Sequence, residues 1–299
     1  MTDFSTAMQL TSIGDLRWTA DLPADWAQGR TTFGGLIGAL AARAATLAVG
    51  AQRPLRSLDL AFIAPLPAGP VEVDVELLSV GKAVTQLAVS FRSGGVLGAR
   101  VHVVAGASRV SALRVDTGPT EMVEGDPAEQ GLELPYVPGV MPEFGQHMEY
   151  RWCSEGFPFT GGGPETARLN GWARHRTAAE GLEAMVALLD AWPPVVLPMA
   201  KGPIPASTVR WAIQLASPDH AGAVVPDGLD AGLSTPFDAD KQWVWYEART
   251  VQCADGYATA YASMFVEGRL LAWSEQLITV YDRPAAQEPA VALPPGALA

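Results

Sequence analysis

The most constraining feature of the sequence is a short, strongly apolar stretch, LEAMVALLDAW, at residues 182–192. Its apolar side chains leave only a narrow polar seam, and a helix that is apolar on nearly every side is buried inside a protein. Pro193 and Pro194 follow directly. They cannot continue a helix, because proline lacks an N–H and its ring collides with the preceding turn. We therefore predict a buried helix over 182–192.

Two carboxylates, Glu183 and Asp190, interrupt this apolar surface. They are nearly two helical turns apart and therefore lie on one face. Asp190 is at the carboxyl end, where the helix dipole disfavours an anion and where burial would raise its pKa. Such a carboxylate is a candidate for chemistry. The alternative is that the last turn frays and Asp190 is simply solvated, and the stretch alone leaves both interpretations open.

Composition excludes several classes of partner. The chain has 299 residues, of which 48% are hydrophobic, and a net charge of −12, so it can bury the cores of two domains. The acidic balance argues against binding to nucleic acid and to anionic membranes. We also expect no metal site and no cofactor, because the sequence contains none of the motifs that hold a metal, a dinucleotide or a nucleotide phosphate.

The start of the chain, its apolar tracts and its cysteines bear on where the protein is located. The first residues show no basic segment followed by an apolar one, which argues against a signal peptide. The longest apolar tract, 36–51, contains Arg43 and is too short to span a bilayer. Cys153 and Cys253 have no metal-ligand spacing and fit a reducing compartment. We expect a cytoplasmic protein without membrane insertion.

The first half of the chain reads as one slim helix followed by strands. Gly34 and Gly35 open the helix, Thr31 or Thr32 can be its N-cap, and Gly50 can end it. The free N–H groups of the first turn could face an oxyanion or a phosphate, or the glycines could only permit a tight turn. Alternating patterns at 55–63, 71–77, 86–91 and 96–104 then predict a four-strand antiparallel meander.

The same plan recurs after an acidic, proline-rich connector. Strand patterns lie at 150–154 and 167–175 before the apolar helix, and at 207–215, 242–251, 257–266 and 270–281 after it. A slim apolar helix with a sheet able to curl around it is a hot-dog domain. We predict an α+β tandem hot dog, with two antiparallel sheets each wrapped around one central helix. The predicted parts are a first domain at 1–113, the connector at 114–146, a second domain at 147–283 and a flexible tail at 284–299.

Over residues 26–283 the sequence resembles the TesB-like acyl-CoA thioesterases, the thioesterase II type. The first-half marks are Phe33-Gly34-Gly35 and the strand ending FIAP at 62–65. The family's catalytic aspartate follows the apolar helix, where this sequence has Asp190. Its threonine lies in the next strand, at the position of Thr208, and its glutamine lies in the last strand, at the position of Gln276.

The resemblance implies hydrolysis of acyl-CoA to a free fatty acid and CoA, with Asp190, Thr208 and Gln276 as catalytic residues. Asp190 can act as general base, and the other two side chains can hold a water because each donates and accepts hydrogen bonds. A GxSxG elbow and an HExxH pair are absent from the sequence. Taken singly, Thr208 could be an ordinary strand residue and Gln276 a solvent-facing one.

Substrate contacts are predicted less specifically. Gly34, Gly35 and Trp245 are candidate substrate-binding residues, and the aromatic side chains around Trp245 could line an acyl tunnel or form sheet core. Arginines are the only candidates for contacts to the CoA phosphates, and they could equally be solvated surface residues; they are Arg174, Arg176 and Arg210. Acyl chain length and physiological substrate stay open.

Two other functions remain on the same fold. A non-catalytic acyl-CoA or lipid-binding protein would keep the pocket without hydrolysis. An enoyl-CoA hydratase would call for an Asp followed five residues later by His, and no Asp of this sequence has one. We also expect a homo-oligomer, because a tandem hot dog leaves strand edges that proteins usually cover.

Overall fold

The computed structural model describes residues 1–50, 52–113, 115, 117–122, 124–216, 239 and 241–282. The predicted flexible tail at 284–299 lies outside the described residues. The helices are α1 (Phe4–Ala7), α2 (Gly34–Val49) and α3 (Gly181–Leu189). The strands before the connector are β1 (Thr11–Gly14), β2 (Arg17–Leu22), β3 (Ala27–Gln28), β4 (Thr31–Thr32), β5 (Leu55–Phe62), β6 (Gly69–Val80), β7 (Val84–Ser93) and β8 (Val96–Gly106). The later strands are β9 (Leu132–Glu133), β10 (Met148–Trp152), β11 (Arg168–His175), β12 (Ala206–Leu215), β13 (Val244–Ala254), β14 (Tyr257–Val266) and β15 (Arg269–Val280).

The two halves of the chain repeat one strand arrangement. In the first half β6, β7 and β8 form a meander, and β5 lies beside β8. In the second half β13, β14 and β15 form a meander, and β12 lies beside β15. The prediction of a four-strand meander in chain order was therefore wrong for β5. The strand that follows each helix crosses to the far side of the three later strands.

This crossing brings β5 and β12 together at the centre of the molecule. They pair antiparallel, with Trp211 opposite Leu60 and Ile213 opposite Leu58. The prediction of two separate sheets was accordingly wrong at this seam, where the halves join into one 13-stranded sheet. Each strand would otherwise expose a row of unpaired N–H and C=O groups, and the pairing satisfies both rows.

The two longer helices pack on strands of their own half and on each other. α2 contacts β5, β6, β7 and β8, and α3 contacts β11 and β14. They run antiparallel, because Gly34 lies beside Asp190 at the end of α3 whereas Gly38 lies beside Val186 one turn earlier. A Cβ atom at Gly38 would lie 3.0 Å from Val186 Cγ1 and 3.0 Å from Trp211 Cζ3. The absence of a side chain at Gly38 therefore sets how closely the helices approach.

The helix ends differ from the predicted ones in two places. α2 is preceded by Phe33, whose side chain makes no capping hydrogen bond, so the predicted cap at Thr31 or Thr32 was wrong. The hydroxyl of Thr31 instead accepts a hydrogen bond from the backbone N–H of Leu66 at 3.0 Å. α3 ends at Leu189. No helix in the described ranges is long and apolar enough to cross a membrane.

We expect Gly38→Val to lower the free energy of unfolding. The new methyl groups would press on Val186 and Trp211, and overpacking of a core costs about 1–3 kcal/mol. Leu47→Val is the matched control, because it places the same residue on the exposed side of α2 and costs only helix propensity, about 0.5 kcal/mol. Urea unfolding curves measure both. Equal stability of the two variants would contradict the close helix contact.

Candidate active site

Asp190 lies at the junction of the two helices. It is the C-cap residue of α3, with φ −101° and ψ 3°, and its backbone N–H is bonded to the Ala187 carbonyl at 3.3 Å. Its carboxylate reaches the first turn of α2, where a Cβ atom at Gly34 would lie 2.7 Å from Asp190 Oδ2. The last turn of α3 therefore does not fray into solvent, and Asp190 is partly buried.

Two donors hold this carboxylate, one from each half of the chain. Gln276 Nε2 on β15 donates to Asp190 Oδ1 at 2.7 Å. The backbone N–H of Gly35 in the first turn of α2 also donates to the carboxylate. The free N–H groups predicted at the start of α2 thus include one that serves Asp190. The glycines are needed here for close approach, because a Cβ atom at Gly35 would lie 2.8 Å from the carbonyl oxygen of Ala187.

The surroundings change the acidity of Asp190. Burial raises the pKa of its carboxyl group from 3.8 to about 7, and the hydrogen bonds from Gln276 and from the Gly35 N–H oppose that rise. The effect of desolvation on the pKa is larger than that of the hydrogen bonds, because two hydrogen bonds replace only part of the hydration that an ionised carboxylate has in water. At neutral pH the group is therefore poised between its protonated and ionised forms, which is the condition for general acid–base chemistry.

A cavity of about 320 Å³ opens at this carboxylate. Asp190, Gln276 and Thr208 all line it. Thr208 is on β12 next to β15, opposite Ile278, at a register shift of the two strands. The structure therefore brings the three predicted residues to one cavity. The direct hydrogen bond within the trio joins Asp190 and Gln276.

The first half of the chain supplies the opposite wall. Gly34 lines the cavity, and so does the end of β5 with the residues that follow it, 62–66. Ile37, one turn into α2, adds an apolar side chain that is 1% exposed. The site is thus built between the halves, and neither half contains it alone.

Trp245 lies away from this cavity. It is fully buried in a separate cluster with Trp172 and Phe265, and its Nε1–H donates to Glu247 Oε1 at 2.8 Å. The neighbouring Tyr246 belongs to the main core instead. Successive residues of a strand face opposite sides of the sheet. Trp245 therefore lies outside the candidate site, although the sequence predicted it as a substrate-binding residue.

An aromatic side chain that the sequence reasoning missed does line the cavity. Trp192, two residues after Asp190, is 7% exposed. It stacks on Tyr246 with ring centroids 5.5 Å apart and meets the ring of Tyr150 edge-on at 5.2 Å. The one sequence feature that could have identified Trp192 as a cavity residue is its position directly after the turn at Asp190.

The arginines considered for CoA contacts are all engaged with carboxylates. Arg174 is 2.7 Å from Glu149 and lies over the ring of Trp243. Arg210 bridges Asp59 and Glu275 across the seam of the sheet, at 3.0 and 3.1 Å. The third, Arg176, is 3.8 Å from Glu149. None of the three lines the cavity. In the described part of the chain no cluster of His, Cys, Asp and Glu could hold a metal ion.

Because its pKa is raised, ionised Asp190 should lower the free energy of unfolding at neutral and alkaline pH. Its folded pKa, about 7, exceeds the unfolded value of 3.8. The group is protonated in both states below about pH 4. Between about pH 4 and pH 7 the unfolded chain loses this proton more readily than the fold does, so the free energy of unfolding falls by at most about 4 kcal/mol and stays lower above pH 7. We expect Asp190→Asn to melt at a higher temperature than the wild type at pH 8, with a smaller difference at pH 4.5. A lower melting temperature at pH 8 would contradict this burial of the charge.

Comparison with known proteins agrees with this architecture. Residues 22–110 match the family described as acyl-CoA thioesterase N-terminal domain. Residues 119–280, more than half of the chain, match the acyl-CoA thioesterase C-terminal domain. No curated protein sequence matches the chain significantly.

Solved structures show the same fold at low sequence identity. A hot-dog-fold protein of unknown function from Alicyclobacillus acidocaldarius superposes with a TM-score of 0.79 at 19% identity, over 94% of this chain and 98% of that one. A putative thioesterase from Novosphingobium aromaticivorans gives 0.67 at 22%, over 90% and 97%. The acyl-CoA thioesterase II TesB2 from Mycobacterium marinum gives 0.68 at 15%, over 95% and 99%. The chain has a hot-dog-type fold and belongs to the acyl-CoA thioesterase family.

Proposed function

We propose that the protein hydrolyses acyl-CoA thioesters to a free carboxylic acid and CoA, with Asp190 as the general base. The observation that carries the proposal is the hydrogen-bonded pair of Asp190 and Gln276 at the wall of a cavity, with burial raising the pKa of Asp190 to about 7. Membership of the acyl-CoA thioesterase family supports the same substrate class.

The first step is the attack of water on the thioester carbonyl carbon. The ionised carboxylate of Asp190 takes one proton from the water as its oxygen bonds to that carbon. Gln276 donates one N–H to Asp190 and can donate its second N–H to the water. The hydroxyl of Thr208, on the neighbouring strand, can also hydrogen-bond to the water. The carbonyl oxygen becomes an oxyanion, which needs hydrogen-bond donors near it.

The second step is the collapse of this tetrahedral intermediate. The carbonyl double bond re-forms and the C–S bond breaks, so that the sulfur leaves with the bonding electron pair. Asp190 returns its proton to the sulfur, giving CoA as a thiol and regenerating the carboxylate. The reaction consumes one water and needs no covalent enzyme intermediate.

Substitution of the trio should reduce hydrolysis to different degrees. Asp190→Asn removes the base, and such a base contributes about 10²–10⁴-fold, so kcat should fall by that factor with little change in KM. Thr208→Val should cost about 10–100-fold, because one hydrogen bond is lost. Double variants with Asp190→Asn should add little, because residues acting on one water are non-additive. The measurement is hydrolysis of medium-chain acyl-CoA, followed with a thiol-reactive dye.

Gln276→Ala has a more specific expected signature. The hydrogen bond from Gln276 lowers the pKa of Asp190, so its loss should move the rising limb of the pH–rate profile, expected near pH 7 in the wild type, to higher pH.

Glu183→Gln is the control for the trio, because it changes a carboxylate of the same helix that does not line the cavity. A folded Asp190→Asn variant that hydrolyses at the wild-type rate would overturn the assignment of the base. A wild type that binds acyl-CoA without hydrolysing it would favour the non-catalytic alternative.

Gly34→Ala should displace the base without unfolding the chain. The added methyl group would lie 2.7 Å from Asp190 Oδ2 and 3.1 Å from the ring of Phe62, and the short Asp190 side chain can yield by rotating. We expect kcat to fall at least about 10-fold, since small displacements of catalytic groups are costly. Gly202→Ala is the matched control, because nothing lies within 4 Å of its Cβ position. Unchanged kcat in the Gly34 variant would contradict the close contact.

A cytoplasmic location and a homo-oligomeric state remain part of the proposal. The first rests on the two cysteines, which fit a reducing compartment, and the second on the strand edges that a tandem hot dog leaves. Light scattering at micromolar concentration tests the oligomer.

A further inference from the structure

Trp192 occupies a distinctive place among the apolar residues of the cavity. It lines the cavity, yet it is 7% exposed, and three aromatic rings contact its indole. Tyr246 stacks on it at an interplanar angle of 17°, and Trp152 meets it at 5.9 Å. A side chain fixed by ring contacts forms a rigid wall, because any rotation would break several contacts at once.

The sheet behind the indole leaves it no room to withdraw. Gly171 on β11 lies directly behind Trp192, and a Cβ atom there would be 2.7 Å from Trp192 Cη2. Gly171 itself pairs with Tyr246 on β13 and with Trp152 on β10. The ring therefore rests against the backbone of the sheet, and the cavity cannot deepen on this side without a change in Trp192.

The change from exposed to buried residues along the lining gives the cavity a direction. Gln28, Ile63 and Ser207 are exposed residues of its rim. Thr32, Ile37 and Trp192 are buried, and the last two present apolar side chains. CoA is too large for about 320 Å³ and must remain largely outside. An acyl-CoA would then present its CoA portion to the exposed rim and its acyl chain to the buried wall formed by Ile37 and Trp192.

We infer that Trp192 is a specificity-determining residue that limits acyl chain length by closing the apolar wall of the cavity. This inference rests on the proposed thioesterase function. The acyl chain would then lie against Trp192, on the side of the cavity where Tyr246 supports the indole. The thioester would react at Asp190, two residues earlier in the chain.

The test compares chain-length profiles. For the wild type and Trp192→Ala, kcat/KM is measured on saturated acyl-CoA esters from butyryl to palmitoyl. The variant should raise the ratio of long-chain to short-chain kcat/KM by about 10-fold or more, since one methylene in an apolar pocket already changes specificity by 10–200-fold. Trp245→Ala is the matched control, because it removes an equally buried indole outside the cavity and should leave the ratio unchanged.

Stability and catalysis are separated within the same experiment. Trp192→Phe keeps an aromatic ring in the stack and should shift the ratio in the same direction by less, which covers the case in which the alanine variant does not fold. Dissociation constants for non-hydrolysable S-alkyl-CoA thioethers of the same lengths are measured in parallel. These constants show how chain length affects binding even if the wild type hydrolyses none of the esters. That outcome would refute the proposed function but not the inference about Trp192. An unchanged length preference in folded Trp192 variants, in both assays, would overturn the inference.

Discussion

The antiparallel contact between α2 and α3 is the interaction on which the rest of the structure depends. Gly34, Gly35 and Gly38 allow the two backbones to approach so closely that a Cβ atom at Gly35 would fall 2.8 Å from the Ala187 carbonyl oxygen. This approach fixes the positions of the two halves together with the pairing of β5 and β12. It also brings the amino end of one helix to the carboxyl end of the other, and the candidate site lies at that meeting point.

Burial has the largest effect on the charge state of Asp190, and the meeting of the helix ends adds smaller effects. The carboxyl end of α3 disfavours an anion, whereas the amino end of α2 favours one and supplies the N–H of Gly35. Gln276 adds a second donor, yet burial outweighs both and raises the pKa of Asp190 to about 7. The carboxylate is thus held in place without being made strongly acidic. A base on either half alone would lack one of its two donors.

The sequence predicted the regular elements because their patterns are local. The apolar helix, the alternating strand β6 and the hairpin of β14 and β15 each carry their own periodicity. The resemblance also placed Asp190, Thr208 and Gln276 together, and the cavity contains all three. The pairing of β5 with β12 was not predicted, because the partner of a strand lies far away in the sequence and leaves no local signal in it. The N–H of Gly35 was predicted to be free to bind an anion, but its partner Asp190 was not predicted for a similar reason, since Asp190 lies in the other half.

In the second half, neighbouring aromatic residues of one strand point to opposite faces of the sheet and therefore have different roles. Trp245 faces the side of β13 where Glu247 accepts hydrogen bonds from its indole and from the connector backbone at 120–121. This indole therefore helps to attach the connector to the sheet. Tyr246, the next residue, faces the helices and supports Trp192. The sequence shows both aromatics as one cluster, and only the direction of each side chain from the strand assigns one to the connector and the other to the cavity wall.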